Sequence, residues 1–95
     1  MAITIGVCHL TLRLPENGSL KGKRMVLKSI QQRLHNRFNV SVAETGHHDL
    51  WQRAELTAAV VSTDRRHAES VLREADRLVA GADGARIVDT STSYL

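Results

Sequence analysis

Apolar and polar positions alternate along this chain with two different periods, and the switches between them mark six elements. Residues 3–14 (ITIGVCHLTLRL) are rich in β-branched residues and leucine and stop at Pro15, which predicts a strand. Leu10, Leu12 and Leu14 alternate with His9, Thr11 and Arg13, giving one apolar and one polar face. Ile3, Ile5 and Val7 fall on the opposite parity, so this end is either covered on both faces or shifted by a bulge. Glu16-Asn17-Gly18 reads as a turn and Ser19 as a helix N-cap. Up to Phe38 the period is helical, with Val26, Leu27, Ile30, Leu34 and Phe38 on one face. Residues 39–44 alternate as a second strand with Val40 and Val42 inward, and 45–53 (TGHHDLWQR) have the composition of a loop. Residues 54–62 alternate again, with Leu56, Ala58 and Val60 inward. Asp64 can cap a second helix whose Ala68, Val71, Leu72, Ala75, Leu78 and Val79 form an apolar stripe ending near Gly81. A last strand is expected from about Ala85 towards Leu95. The order β-α-β-β-α-β predicts an α+β, ferredoxin-like domain, a four-stranded antiparallel sheet with two helices on one face.

Ninety-five residues, 42% of them hydrophobic, suit one globular domain spanning residues 1–95 and leave no room for a second core. The single cysteine, Cys8, excludes an internal disulfide framework and fits a reducing cytosol. No stretch approaches the roughly 18 apolar residues of a membrane span. A cytoplasmic protein without a membrane partner is therefore expected.

Charge adds an asymmetry that the net value of +3 conceals. Residues 1–43 carry seven basic side chains against one acid, Glu16; residues 44–95 carry six basic and nine acidic ones. On a helical projection Lys21, Arg24, Lys28 and His35 gather opposite the apolar stripe, with Arg33 and Arg37 on a flank. The second helix instead neutralises itself through Glu69–Arg73 and Glu74–Arg77. The strongest candidate site is thus the Ser19–Lys28 segment, where Lys21, Lys23, Arg24 and Lys28 surround a helix N-terminus suited to phosphate. The competing reading is a plain solvated basic face.

Two stretches carry a resemblance. Ser19-Leu20-Lys21-Gly22-Lys23-Arg24 and Arg37-Phe38-Asn39-Val40-Ser41-Val42-Ala43-Glu44, supported by Asp49-Leu50-Trp51-Gln52-Arg53-Ala54 and the Leu56 strand, resemble the small bacterial YlxP-like proteins, a family carried as a domain of unknown function. The resemblance covers nearly the whole chain. It implies a ferredoxin-like fold, and the family's genes, often beside those for translation initiation and ribosome maturation, imply a ribosome-related role. It supplies no catalytic residue. Where the family has Glu or Asp, this chain has Gly22, so the reciprocal bond of a Ser-x-x-Glu capping box is absent, at a cost of about 1 kcal/mol.

Other chemistries fail on spacing. Gly18-Ser19-Leu20-Lys21-Gly22-Lys23-Arg24 lacks one residue between its glycines to be a P-loop, and Arg24 stands where a Mg²⁺-binding hydroxyl is needed. Gly18 and Gly22 do not form the GXXG of a KH domain. The strands offer no aromatics except Tyr94, so base stacking on the sheet is not expected and RNA contacts should be to backbone and shape. Five histidines include the adjacent His47 and His48, but no spacing closes a metal site. No metal, no cofactor and no enzymatic activity are expected. The sheet face away from the helices would carry His9, Thr11, Arg13, Ser41, Ala43, Glu55, Thr57, Ala59 and Val61, small mixed residues that suit a homodimer as well as an open wetted surface. Trp51 is either a lid over the core edge or an interface anchor.

Two readings follow. The first is a non-enzymatic factor docking on structured, ribosomal RNA through the basic first helix, neutralising about 3–5 phosphates. The second is a homodimeric protein-interaction module, with an interface drawn from His9, Thr11, Ser41, Ala43, Thr57, Ala59 and Trp51 and no nucleic-acid binding.

Overall fold

A computed structural model describes residues 2–95. Six elements follow in the expected order: β1 (Thr4–Arg13), α1 (Leu20–Arg37), β2 (Ser41–Gly46), β3 (Arg53–Ser62), α2 (Arg65–Ala80) and β4 (Arg86–Tyr94). The strands form one sheet in the order β2-β3-β1-β4, every neighbouring pair antiparallel. This is the ferredoxin-like βαββαβ arrangement.

Alternation along the two central strands builds the core. Cys8, Leu10 and Leu12 of β1 and Ala54, Leu56, Ala58 and Val60 of β3 are buried beneath the helices. Leu27, Ile30 and Leu34 of α1 and Ala68, Leu72, Ala75, Leu78 and Val79 of α2 close over them. The parity conflict in β1 resolves without any shift against β3, since the register runs unbroken from Thr4↔Ser62 to Arg13↔Arg53. Gly6 and Cys8 continue the inward row, and Ile5 and Val7 lie half-buried on the opposite, open face. The bulge instead affects β4, where Thr11 faces Asp89 and Leu12 faces Ile87, leaving Val88 as the extra residue.

Gly6 is small because three side chains converge on it. A Cβ there would lie 2.8 Å from Leu72 Cδ1 and 3.0 Å from Tyr94 Cε1. The ring of Tyr94 in turn carries the Arg65 guanidinium 3.9 Å from its centroid, joining the start of α2 to the end of β4.

The helix caps match their sequence signals. Ser19 accepts from Gly22 N at 3.0 Å and Asp64 from Arg66 N at 2.9 Å. The β2 boundary differs: the strand runs to Gly46, so the loop shrinks to residues 47–52. Gly46 pairs with Glu55 of β3 across a bulge that leaves Thr45 as the extra residue, a tertiary extension that their turn-forming composition conceals. No helix among the described residues is long and apolar enough to cross a membrane.

Candidate nucleic-acid interface

Helix α1 lies along one edge of the sheet with its outer face free. Lys21, Arg24 and Lys28 are exposed there, as are His35 and Arg37 farther on and Arg33 on the flank. Of the four proposed cations, Lys21, Arg24 and Lys28 take part in no ion pair among the described residues. The first turn of α1 contains no acidic residue. Two acids of α2 pair within their own helix, Glu69 with Arg65 at 3.0 Å and Glu74 with Arg77 at 2.9 Å. Here Glu69 takes Arg65, not the Arg73 expected from sequence.

Lys23 does not belong to the site. Its side chain is only 2% exposed, and Nζ donates to the carbonyl oxygens of His47 at 2.7 Å and Leu50 at 2.8 Å. Glu44 Oε2 lies 3.0 Å from the same nitrogen, in an ion-pair contact without hydrogen-bond alignment. An ammonium so enclosed cannot meet a phosphate. The physical reason is helical phase: Lys23 precedes Leu27, Ile30 and Leu34 on their own inward stripe, one turn before its first leucine. That phase, with Glu44 at the end of an inward row in β2, was the available signal.

The Lys23 ammonium organises the β2–β3 loop against the start of α1. His47 adopts a left-handed backbone, φ 60, which is uncommon for a residue with a side chain, and its carbonyl accepts from Lys23. Asn17 Nδ2 bridges the carbonyls of Ser19 at 2.7 Å and Trp51 at 2.6 Å. Gln52 Nε2 reaches the carbonyls of Pro15 and Asn17, and Leu14 N donates to Gln52 O at 2.9 Å. Gly22 leaves the space in which the Asn17 amide sits, since a Cβ there would meet Asn17 Oδ1 at 2.3 Å. The missing capping-box acid therefore has a structural counterpart: Asn17 occupies its place and ties down the loop.

The result is a fixed loop with exposed tips. Trp51 is 55% exposed and Leu50 46%. With more than half of its surface exposed, Trp51 covers little of the core edge. It sits beyond the end of the sheet, apart from the other six residues of the suggested homodimer interface.

Those six, His9, Thr11, Ser41, Ala43, Thr57 and Ala59, do share the sheet's open face. A hydrogen-bonded row crosses three strands: Thr45 Oγ1 donates to Glu55 Oε1 at 2.6 Å and pairs with Thr57 Oγ1 at 2.6 Å, which pairs with His9 Nδ1 at 2.8 Å. Because the Thr45 proton goes to Glu55, Thr57 must donate to Thr45 and His9 Nδ1–H to Thr57. The row fixes the histidine's orientation. Beside it, Ile5, Val7 and Val61 form an apolar strip, Val61 being 69% exposed. Among the described residues no three His, Cys, Asp or Glu side chains gather as a metal site would require.

A family model described as "Protein of unknown function (DUF503)" matches residues 5–92. The chain belongs to the DUF503 family. A relative in Bacillus subtilis (strain 168), named "Uncharacterized protein YlxP", is 42% identical over 79 residues, covering 83% of each chain. The resemblance drawn from the Ser19–Arg24 and Arg37–Glu44 segments thus holds. Among solved structures, the C-terminal segment of the alpha subunit of aIF2 from Pyrococcus abyssi has a TM-score of 0.50 at 17% identity, covering 97% of this chain. The DUF503 chain spans 48% of that segment, about half its length. A dimeric ferredoxin-like protein of unknown function from Thermobifida fusca has a TM-score of 0.48 at 14% identity, covering 100% of this chain and 92% of its own. At 17% identity the likeness to the aIF2 segment concerns the fold alone.

Proposed function

We propose that this DUF503 chain is a non-enzymatic, cytoplasmic factor that docks on the backbone of structured, ribosomal RNA through the outer face of α1. The observation that carries the reading is the exposed row Lys21, Arg24 and Lys28, with no acid in its first turn and no ion pair to any of the three among the described residues. Cations left unpaired on a rigid helix lose little on meeting phosphates and release counterions from the RNA. With Lys23 withdrawn, the helix offers three phosphate contacts in its first three turns, and the slope of log K against log salt should be about −2 to −3.

Co-sedimentation with ribosomes at two salt concentrations tests this, comparing wild type with Lys21→Glu/Arg24→Glu/Lys28→Glu. Binding that weakens with salt and is lost in the triple variant supports the reading. Wild type that never co-sediments, or a triple variant that does so equally, overturns it.

A second reading rests on the strip of Ile5, Val7 and Val61 beside the His9–Thr57 row, an apolar patch on a sheet face that the helices leave uncovered. In this reading the chain is a homodimer packed sheet to sheet, and the basic helix meets only solvent or an acidic protein. Light scattering distinguishes them: a dimer that Val61→Glu converts to monomer supports it, and a monomer at high micromolar concentration overturns it.

A further inference from the structure

The loop bearing Leu50 and Trp51 is held at more points than a connector of six residues requires. Lys23 takes two of its carbonyls, Asn17 takes the carbonyl of Trp51, and Gln52 is bound through both backbone and side chain to residues 14–17. Burying a lysine ammonium carries a large loss of solvation, and here it fixes a loop whose two large apolar side chains remain about half exposed. A group ordered in advance loses less entropy when it binds, so such a loop is prepared for contact.

The charge around it selects the partner. Trp51 lines a shallow depression with Asp49, Leu50, Gln52 and Arg53. Arg53 faces Arg13 across the β1–β3 register, and the Asn17 amide joins the Trp51 carbonyl to that of Ser19, the N-cap of α1. Around this loop Arg13, Lys21, Lys23, Arg24 and Arg53 stand against Glu16, Glu44, Asp49 and Glu55, a small positive excess in which Lys23 and Glu44 are already paired with each other. A flat aromatic surface beside a net positive helix start suits a nucleotide, with its base on the indole and its phosphates towards the helix.

We propose that Trp51, backed by Leu50, stacks an unpaired base of the RNA whose phosphates engage α1. The proposal rests on the RNA-docking reading above and deepens it: the ligand class becomes a structured RNA with an unpaired nucleotide beside a helical stem. Base selection is not required, because every base offers a π face. The strands still play no part in stacking.

Trp51 is the single tryptophan of the chain, so its intrinsic fluorescence reports the contact directly. Two probes serve: an RNA hairpin with an unpaired loop, and a fully paired duplex of the same stem, each also followed by anisotropy. The hairpin should bind and quench Trp51, and the duplex should bind without quenching. Trp51→Ala should weaken the hairpin about 5- to 100-fold, leave the duplex unchanged and leave the salt slope intact, while Trp51→Phe retains most of the affinity. Circular dichroism checks that the variants fold, which the exposure of the side chain favours. If both RNAs bind through α1 with no quenching and Trp51→Ala alters neither, the stacking proposal falls and the backbone reading stands. If neither RNA binds at any salt, both fall together.

Discussion

Replacing Lys23 by methionine keeps the aliphatic stem in the core and deletes only the charged head. Three interactions go: the bonds to His47 O at 2.7 Å and Leu50 O at 2.8 Å, and the contact with Glu44 at 3.0 Å. An unsatisfied buried acceptor costs about 1–3 kcal/mol, and breaking a buried pair from one side costs about 3–5 kcal/mol. Two effects reduce the loss: Glu44 is 22% exposed and can hydrate, and the ammonium no longer has to be desolvated. A net loss of about 3 kcal/mol follows from those ranges, against roughly 5–14 kcal/mol for a domain of this length. In a thermal melt it should appear as a fall in Tm of roughly 12–24 °C. Glu44→Gln is the comparison that separates the terms. If the two carbonyls dominate, as their short distances indicate, Glu44→Gln should cost about 1 kcal/mol or less. Urea denaturation of both variants gives the numbers. A Lys23→Met protein within about 0.5 kcal/mol of wild type would refute the clasp, since that is the scale of an ordinary surface substitution. Equal losses in the two variants would show that the ion pair, not the loop, is what Lys23 serves.

Two further substitutions probe close approaches. Gly22→Ala should gain about 0.5–1 kcal/mol of helix propensity but expel the Asn17 amide, forfeiting two bonds of about 0.5–1.5 kcal/mol each. It should therefore be neutral to destabilising alone and stabilising in an Asn17→Ala background; additivity in that double-mutant cycle would disprove the contact. Gly6→Ala places a methyl 2.8 Å from Leu72 Cδ1 and should lower stability by about 1–3 kcal/mol by overpacking, visible as a lower denaturation midpoint with an unchanged m-value.

The fold was legible because its signals are local and mutually consistent. The period of Leu27, Ile30 and Leu34, the caps Ser19 and Asp64, and the alternation of Leu56, Ala58 and Val60 each specify an element without reference to the rest. The site was legible only in part. Lys21, Arg24 and Lys28 lie where an amphipathic projection puts them, whereas the charge of Lys23 points to the surface and its phase to the core. Its partners are the main-chain carbonyls of a loop 24 and 27 residues away, and no side-chain pattern encodes a carbonyl acceptor. The place of Gly22 was likewise hidden, because what it accommodates is the side chain of Asn17. In β1, Ile5 and Val7 leave two readings open for a different reason: they are apolar residues on the open face, which hydrophobic alternation alone cannot distinguish from a shift in register.

The Lys23 clasp also constrains the order of events in folding. A β-hairpin is ordinarily a local unit that can close by itself within microseconds. Here the turn between β2 and β3 reaches its final form only when a side chain from α1 arrives beneath it. That turn should be among the last parts to form, with φ-values near zero at Lys23. In chevron measurements, removing the ammonium would then hasten unfolding and leave the refolding limb almost where it was.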